Sequence, residues 1–345
     1  MRPKKKVKMS DIAREMNVSV VTVSKALSGQ KGVSEETREQ IQKIADDLGY
    51  RKSEKDEQPS ISHTIGVLVA ERYLKEDQSF YWSVYQQLTQ RAMKKHCFSV
   101  LEVVSAAAEE SLETPNIMIE KRVDGVIILG SFQREYADML VSSSKVPMVS
   151  LDTSETSCAD AVVSNNMPGG YLMTNYLFSL GHQKIGFVGT LRMTSSIDDR
   201  YIGYCKSLMK HGIDLKQAMV IEDRDKVTGM VFQKEGFKLP KEMPTAFFCN
   251  CDLSASVLIR QLRELGYRVP EDVSVVGFDN YVTDQFGETG ITTYEINIKD
   301  MVARAVHVIT HKIENAEYSN GVSMIQGRFI ERESAARIAP PVPFA

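Results

Sequence analysis

The sequence predicts a small all-α head followed by an α/β body of two doubly wound parallel sheets. Three observations carry this prediction. Three short segments with helical apolar spacing fill the first 50 residues, and from residue 65 to 277 apolar strand-like runs alternate with amphipathic stretches. Charge is also segregated: residues 1–55 hold 13 Lys and Arg against 8 Asp and Glu, a net of +5, within a chain whose total is −3. A basic end on an acidic body confines contact with a polyanion to that end.

In the head, Ser10 is placed to cap a first helix whose apolar positions Ile12, Ala13 and Met16 share a face, and Asn17 tolerates the tight turn that follows. Ser19 caps a second helix in which Val23, Ala26 and Leu27 face inward, leaving Val20, Val21 and Lys25 on the other side. Ser34 opens a third, with Thr37, Ile41, Ile44, Ala45 and Leu48 as its buried stripe and Gly49 as its stop. Three such helices with a two-faced second one describe a helix-turn-helix unit, whose recognition helix enters the major groove near its N-terminus. The run Lys4 to Lys6, followed by Lys8, adds to the basic character of this end.

The body follows a polar stretch from Arg51 to His63. Residues 65–70, 98–104, 125–129 and 147–151 read as the strands of one half. Residues 161–163, 184–188, 218–221, 246–249 and 273–277 read as a second set. Amphipathic helices separate them, for instance Trp82 to Lys95. In doubly wound sheets ligands bind beyond the carboxyl ends of the strands, which singles out Glu71, Asp152, Asn165, Asn250, Asp252 and Asp279. Phe80, Tyr81 and Trp82 open the first body helix beside that end. Each can either pack the helix onto the sheet or stack on a ligand, and Tyr81 and Trp82 are the favoured pair for stacking because adjacent helix positions cannot all face the core.

Several chemistries are left without support. Five irregularly spaced cysteines give no disulfide framework, and Cys249-Asn-Cys251 has the wrong spacing for a zinc pair and reads as strand-end cysteines. No Gly-x-Gly-x-x-Gly or phosphate loop points to a dinucleotide or ATP, so no cofactor or metal is implied. His182, directly after Gly181 at a helix-to-strand turn, reads as structural. With no nucleophile-base pair either, an enzyme, such as one that modifies a sugar, is the weaker reading. No apolar stretch reaches the ~20 residues of a membrane span and the N-terminus lacks an apolar signal region, so a cytoplasmic protein without a membrane partner is expected.

Over nearly its whole length the chain resembles the LacI/GalR family of bacterial regulators. The matching words in the head are Asp11-Ile-Ala, Val18-Ser-x-x-Thr-Val-Ser-Lys-Ala-Leu27, Val33-Ser-x-x-Thr-Arg38 and Leu48-Gly-Tyr50. In the body they are residues 181–189, Arg200-Tyr-Ile-Gly-Tyr204, residues 266–279 and Ile291-Thr-Thr293. The resemblance implies a head over 1–58 and a periplasmic-binding-protein-like body. One lobe would span 63–163 and 293–322, the other 164–292 and 323–338.

By that resemblance Val20, Val21 and Lys25 read base edges, with Lys25 standing where arginine is more usual. Ser10, Ser19, Thr22, Ser24, Ser34 and Thr37 complete the DNA-binding set, positioning the head on phosphates. Arg200 and Asp279 become the leading effector ligands, followed by Asp152 and Asp252, with Asn250, Tyr81 and Trp82 beside them. An arginine fork among carboxylates suits the vicinal hydroxyls of a mono- or oligosaccharide. The resemblance therefore implies a repressor that binds operator double-stranded DNA as a homodimer. Its effector is expected to be a small carbohydrate, or in the alternative a nucleobase, nucleoside or amino acid.

Three departures stand out. Asn250-Cys-Asp252 replaces an Asn-Asp pair, and Asn165 stands where aspartate is common. Residues 51–63 hold Pro59 and no leucine, which predicts that the family's hinge helix is missing. The tail after Ile338 has no leucine heptads for a tetramer.

Overall fold

The structure is a computed structural model that describes residues 7–27, 32–48, 50, 63–74, 79–120, 122–155, 157–158, 160–226, 228–234, 236–281 and 290–338. The expectations for Lys4 to Lys6, for Gly49, for the hinge over 51–62 and for the tail after Ile338 lie outside the described residues. The chain divides into two compact units at residues 60 and 61.

The head consists of α1 (Met9–Glu15), α2 (Val20–Leu27) and α3 (Glu35–Asp47). Their inward stripes meet in a core of Ile12, Ala13, Val23, Ala26, Ile41 and Ala45. Ile12, Val23 and Ile41 are completely buried, and each contributes about 1.5–3 kcal/mol of burial. Ser19 and Ser34 cap as expected, accepting from the amides of Thr22 at 3.0 Å and Thr37 at 3.3 Å. Asn17 adopts the left-handed conformation of a tight turn, with φ of 51°.

Ser10 does not cap. Helix α1 starts two residues earlier, at Met9 behind Lys8, whose amide donates to Asp11 Oδ2 at 2.8 Å, so the carboxylate of Asp11 serves the helix start instead. Leu48, expected in the buried stripe, is 39 % exposed. Tyr50 packs onto the core in that region.

The body holds a six-stranded parallel sheet of β1 (His63–Ala70), β2 (Cys97–Val104), β3 (Gly125–Leu129), β4 (Met148–Leu151), β5 (Ala161–Ser164) and β11 (Val322–Ile325), in the order β11-β5-β4-β3-β1-β2. A four-stranded parallel sheet of β6 (Ile185–Val188), β7 (Met219–Ile221), β8 (Ala246–Cys249) and β9 (Ser274–Val276) has the order β7-β6-β8-β9. Strands β3, β4, β6, β8 and β9 are buried from end to end. That is the pattern of strands covered on both faces, and it explains why they read as continuous apolar runs. Strand β10 (Thr293–Glu295) pairs antiparallel with β12 (Arg328–Ile330), and bridges at Thr292 and Glu295 attach it to the end of β9.

This topology corrects three expectations. Strand β5, read as part of the second set, completes the first sheet. Residues 293–295 belong with the second lobe, and 322–325 with the first, so the chain crosses between lobes before α11 (Ile298–Glu314) and again between β11 and β12. Helix α4 (Phe80–Met93) begins two residues before Trp82 because Ser79 Oγ accepts from the Trp82 amide at 3.1 Å.

Helices α8 (Asn166–Ser179) and α9 (Ser195–Lys210) pack closely against each other. Glycines permit this. A Cβ on Gly203 would fall 2.2 Å from the Met167 carbonyl oxygen, and one on Gly170 would fall 2.4 Å from that of Arg200. Any side chain there would push apart the two helices that carry Arg200 and its partner Asn166.

Candidate ligand cleft and DNA-reading helix

In the head, Val20 and Val21 are 46 % and 63 % exposed on the first turn of α2, where an apolar side chain gains nothing from folding. Ser24 and Lys25 continue the exposed face, and Ser10 is exposed on α1. Ser19, Thr22, Ser34 and Thr37 form two capping pairs, their hydroxyls 2.8 Å and 2.6 Å apart. Arg38, which sequence reasoning did not place in a role, donates to the Ala26 carbonyl oxygen at 3.1 Å and ties α3 to the end of α2.

The cleft in the body is built from strand ends of both lobes. Asp152 follows β4 in a left-handed conformation, φ 72°, and is buried. A non-glycine residue held there costs of order 1–3 kcal/mol and persists only where its surroundings impose it. Tyr81, in the first turn of α4, donates to Asp152 Oδ2 at 2.9 Å, while Oδ1 is buried without a partner. Burial raises the Asp152 carboxyl above the usual range, against the pull of Arg200 and of the Tyr81 hydroxyl. The Tyr81 ring rests on Tyr73, centroids 4.4 Å apart.

Arg200 enters from α9. Its Nε donates to Asn166 Oδ1 at 3.0 Å, Nη1 donates to the Asn250 carbonyl oxygen at 2.7 Å, and the guanidinium lies 4.0 Å from the Phe278 ring centroid. Asp279 follows β9, also left-handed with φ 92°, and its Oδ1 accepts from the Tyr281 amide at 2.9 Å. Burial pushes its carboxyl up to about 7, opposed mainly by Arg200. Tyr81, Asp152, Arg200 and Asp279 are therefore brought together as the sequence predicts.

The lobes meet beside them. Tyr281 donates from its hydroxyl to the Ser79 carbonyl oxygen at 3.0 Å and sets its ring edge-on to Phe80, and the hydroxyls of Thr153 and Ser195 lie 3.3 Å apart.

Three predicted residues are used differently. Trp82 turns along its own helix onto Tyr85 and is 38 % exposed. Asp252 is completely buried under the β9 end: it accepts from Thr293 Oγ1 at 2.7 Å, and a Cβ on Gly277 would come within 1.9 Å of its Oδ1. Burial, with Asp279 close by, drives its carboxyl far upward, and its bond to Thr293 braces β9 against β10. Asn250 spends its side chain inward, with Nδ2 donating to the Val188 carbonyl oxygen at 3.0 Å and to Asp223 Oδ2 at 2.6 Å. Its main chain holds Arg200.

That network exposes residues that sequence reasoning missed. Asp223, just past β7, is fully buried and accepts five hydrogen bonds, from the Thr190 amide, Arg224 Nε and Nη2, Asn250 Nδ2 and Ser254 Oγ. The Arg224 cation and these donors hold its carboxyl down at about 2 in spite of burial. The strand-end rule that picked out Asp152 and Asp279 would have found it, had it been applied to β7. Phe278 and Asn166 carried no comparable signal.

The remaining candidates are structural. Asn165 Oδ1 accepts from Tyr294 at 2.6 Å, and Glu71 is exposed in a 3-10 turn. His182 is buried between Thr245 Oγ1, Ser274 Oγ and the Ala336 carbonyl oxygen. Cys249 is buried at the end of β8, and Cys251 Sγ caps α10 (Asp252–Glu264). Among the described residues no group of three or more His, Cys, Asp or Glu could hold a metal ion. No described helix is long and apolar enough to cross a membrane.

Comparison with known proteins follows this division. The model of bacterial regulatory proteins, lacI family, matches residues 8–53, and that of a periplasmic binding protein-like domain matches 174–335. The HTH-type transcriptional repressor PurR of Vibrio atlanticus is 28 % identical over 330 residues, covering 94 % of this chain and 98 % of its own. That of Vibrio vulnificus is 26 % identical over 334 residues, covering 96 % and 99 %. Among solved structures, the transcriptional regulator CelR in complex with cellobiose superposes with a TM-score of 0.66 at 21 % identity, over 96 % of this chain and 100 % of its own. The lac repressor dimer bound to operator and the anti-inducer ONPF gives 0.64 at 23 % identity, over 96 % and 100 %. Both have this fold.

Proposed function

From the premise that this chain belongs to the LacI/GalR family of bacterial transcription regulators, we propose that it is a cytoplasmic repressor. It binds operator DNA as a homodimer, and a small carbohydrate in the cleft controls that binding. The observation that carries the effector class is the arginine set between two carboxylates. Arg200 Nη2 makes no hydrogen bond to a described residue, and Asp152 Oδ1 is buried with no donor. A sugar diol supplies both missing partners, hydroxyl oxygen to the guanidinium and hydroxyl hydrogen to the carboxylate, and Tyr81 offers a ring face beside them. A ligand that bridges Asp152 in one lobe and Arg200 or Asp279 in the other favours one lobe arrangement, and it shifts DNA binding only by its difference in affinity between arrangements.

Thermal shift of the full-length protein against mono- and oligosaccharides, nucleosides and amino acids tests this, because a cleft ligand raises the melting temperature by mass action. A sugar response that is lost in Arg200→Ala, with DNA binding retained, is the expected result. A response to nucleosides or nucleobases alone overturns the carbohydrate reading. That second reading is kept because the Tyr73–Tyr81 pair also offers a face to a planar base.

In the head, Val20 and Val21 meet thymine methyls and Lys25 a guanine edge, while the serine and threonine hydroxyls, Ser10 among them, meet phosphates. Lys25→Ala weakens binding to DNA selected from a random library by ~1–3 kcal/mol, and Val21→Ala changes the preferred base. Equal discrimination by both variants and the parent would refute the assignment.

A further inference from the structure

A second arginine that a neutral sugar leaves unused stands beside Asn250, the residue whose carbonyl oxygen holds Arg200. Arg224 follows β7 and is largely buried. Its Nε and Nη2 grip Asp223 at 3.0 Å and 2.8 Å, and Nη2 also donates to Asn250 Oδ1 at 3.0 Å and lies 3.7 Å from Cys251 Sγ. Nη1 makes no hydrogen bond to a described residue. Arg200 holds the same asparagine by its carbonyl oxygen. Two guanidinium groups thus flank Asn250, one on its main chain and one on its side chain, and each keeps one nitrogen unbonded.

We infer, on the reading of the cleft as a carbohydrate site, that the effector is an anionic carbohydrate whose carboxylate or phosphate sits between Arg200 Nη2 and Arg224 Nη1. Planar guanidinium groups match such an anion with paired, charge-assisted hydrogen bonds, about twice as strong as neutral ones. The charge balance points the same way. Arginine stays protonated in proteins, so both cations are permanent. Asp223 answers only one of them, its oxygens already filled by five donors. Burial raises the carboxyls of Asp152, Asp279 and Asp252 and so weakens the compensation they give the two cations. A buried cation without full compensation is costly, and an anionic substituent removes that cost. Asp152, across the cleft, then takes a hydroxyl of the same sugar.

The test is isothermal titration of full-length protein with matched sets: glucose, glucuronate and glucose 6-phosphate; the corresponding galactose set; and di- and trisaccharides ending in each neutral or uronic unit. At least one acid or phosphate is expected to bind ten-fold or more tightly than its neutral counterpart, with the advantage shrinking as salt rises. Whether the uronates or the phosphates show it identifies the anion. Arg224→Gln should reduce the advantage to within two-fold. Arg224→Lys keeps the charge but not the fork, and serves if the glutamine variant fails to fold.

A neutral sugar that binds as tightly as its acid and still depends on Arg200 overturns this inference and leaves the carbohydrate site standing. Binding of nucleosides or nucleobases only overturns both. Failure of every acid and phosphate to bind also overturns the inference.

Discussion

Asp152 and Asp223 are both aspartates just past a parallel strand, both buried, one in each lobe, yet their surroundings are opposite. Asp223 accepts five hydrogen bonds and has its carboxyl held at about 2, whereas Asp152 has one donor, Tyr81, a partnerless oxygen and a carboxyl raised by burial. On the proposed reading of the cleft, the difference separates a carboxylate of the scaffold from one that meets the effector. A filled carboxylate fixes other side chains, here Arg224 and Asn250, while an unfilled one in a strained backbone waits for donors that come from elsewhere.

Variants sharpen this contrast. The largest stability effect belongs to Asp223→Ala, which strands Arg224 in a buried site and should destabilise the body by about 3–5 kcal/mol, read by urea denaturation through Trp82, the only tryptophan. Asp152→Ala removes no completed network, so the unliganded body should keep its stability within about 1 kcal/mol while effector affinity falls at least ten-fold by titration. A large loss of stability in Asp152→Ala would erase the distinction. Ser254→Ala removes one donor of the five and should cost about 1 kcal/mol, with effector affinity unchanged.

Acid titration gives the two kinds of carboxylate opposite signs. Asp223 has a lowered carboxyl, so its stabilisation is present above the ordinary carboxylate range near 4 and is lost as pH falls toward 2. Asp279 has a raised one: between about 4 and about 7 the native state holds a proton that the unfolded chain releases, so stability falls as pH rises through that window. Asp279→Asn should flatten that slope, measured as melting temperature against pH. An unchanged slope would place the titrating group elsewhere.

The head was legible because its contacts are local. Apolar spacing within each short helix named Ile12, Val23, Ile41 and Ala45, and serines three residues ahead of the amides they accept from named two caps. The body strands were legible as apolar runs, but a four-residue strand such as β5 carries no mark of which sheet it joins. In the proposed cleft, position after a strand and family likeness together singled out Asp152, Arg200 and Asp279, which the structure brings together. Asn250 and Asp252 satisfied the same rule and turned inward, because the partners that claim them, Asp223, Val188 and Thr293, lie 27 to 62 residues away. Trp82 was misplaced for a simpler reason: a one-residue step along α4 rotates a side chain by ~100°, enough to send it from the cleft to Tyr85.

The most direct test of the account is effector titration of Arg200→Ala and the parent protein beside a DNA-binding assay on the same samples. The account predicts that the variant binds selected DNA as the parent does and no longer responds to the sugar that releases or retains the parent. A variant that still answers that sugar with undiminished affinity would contradict it.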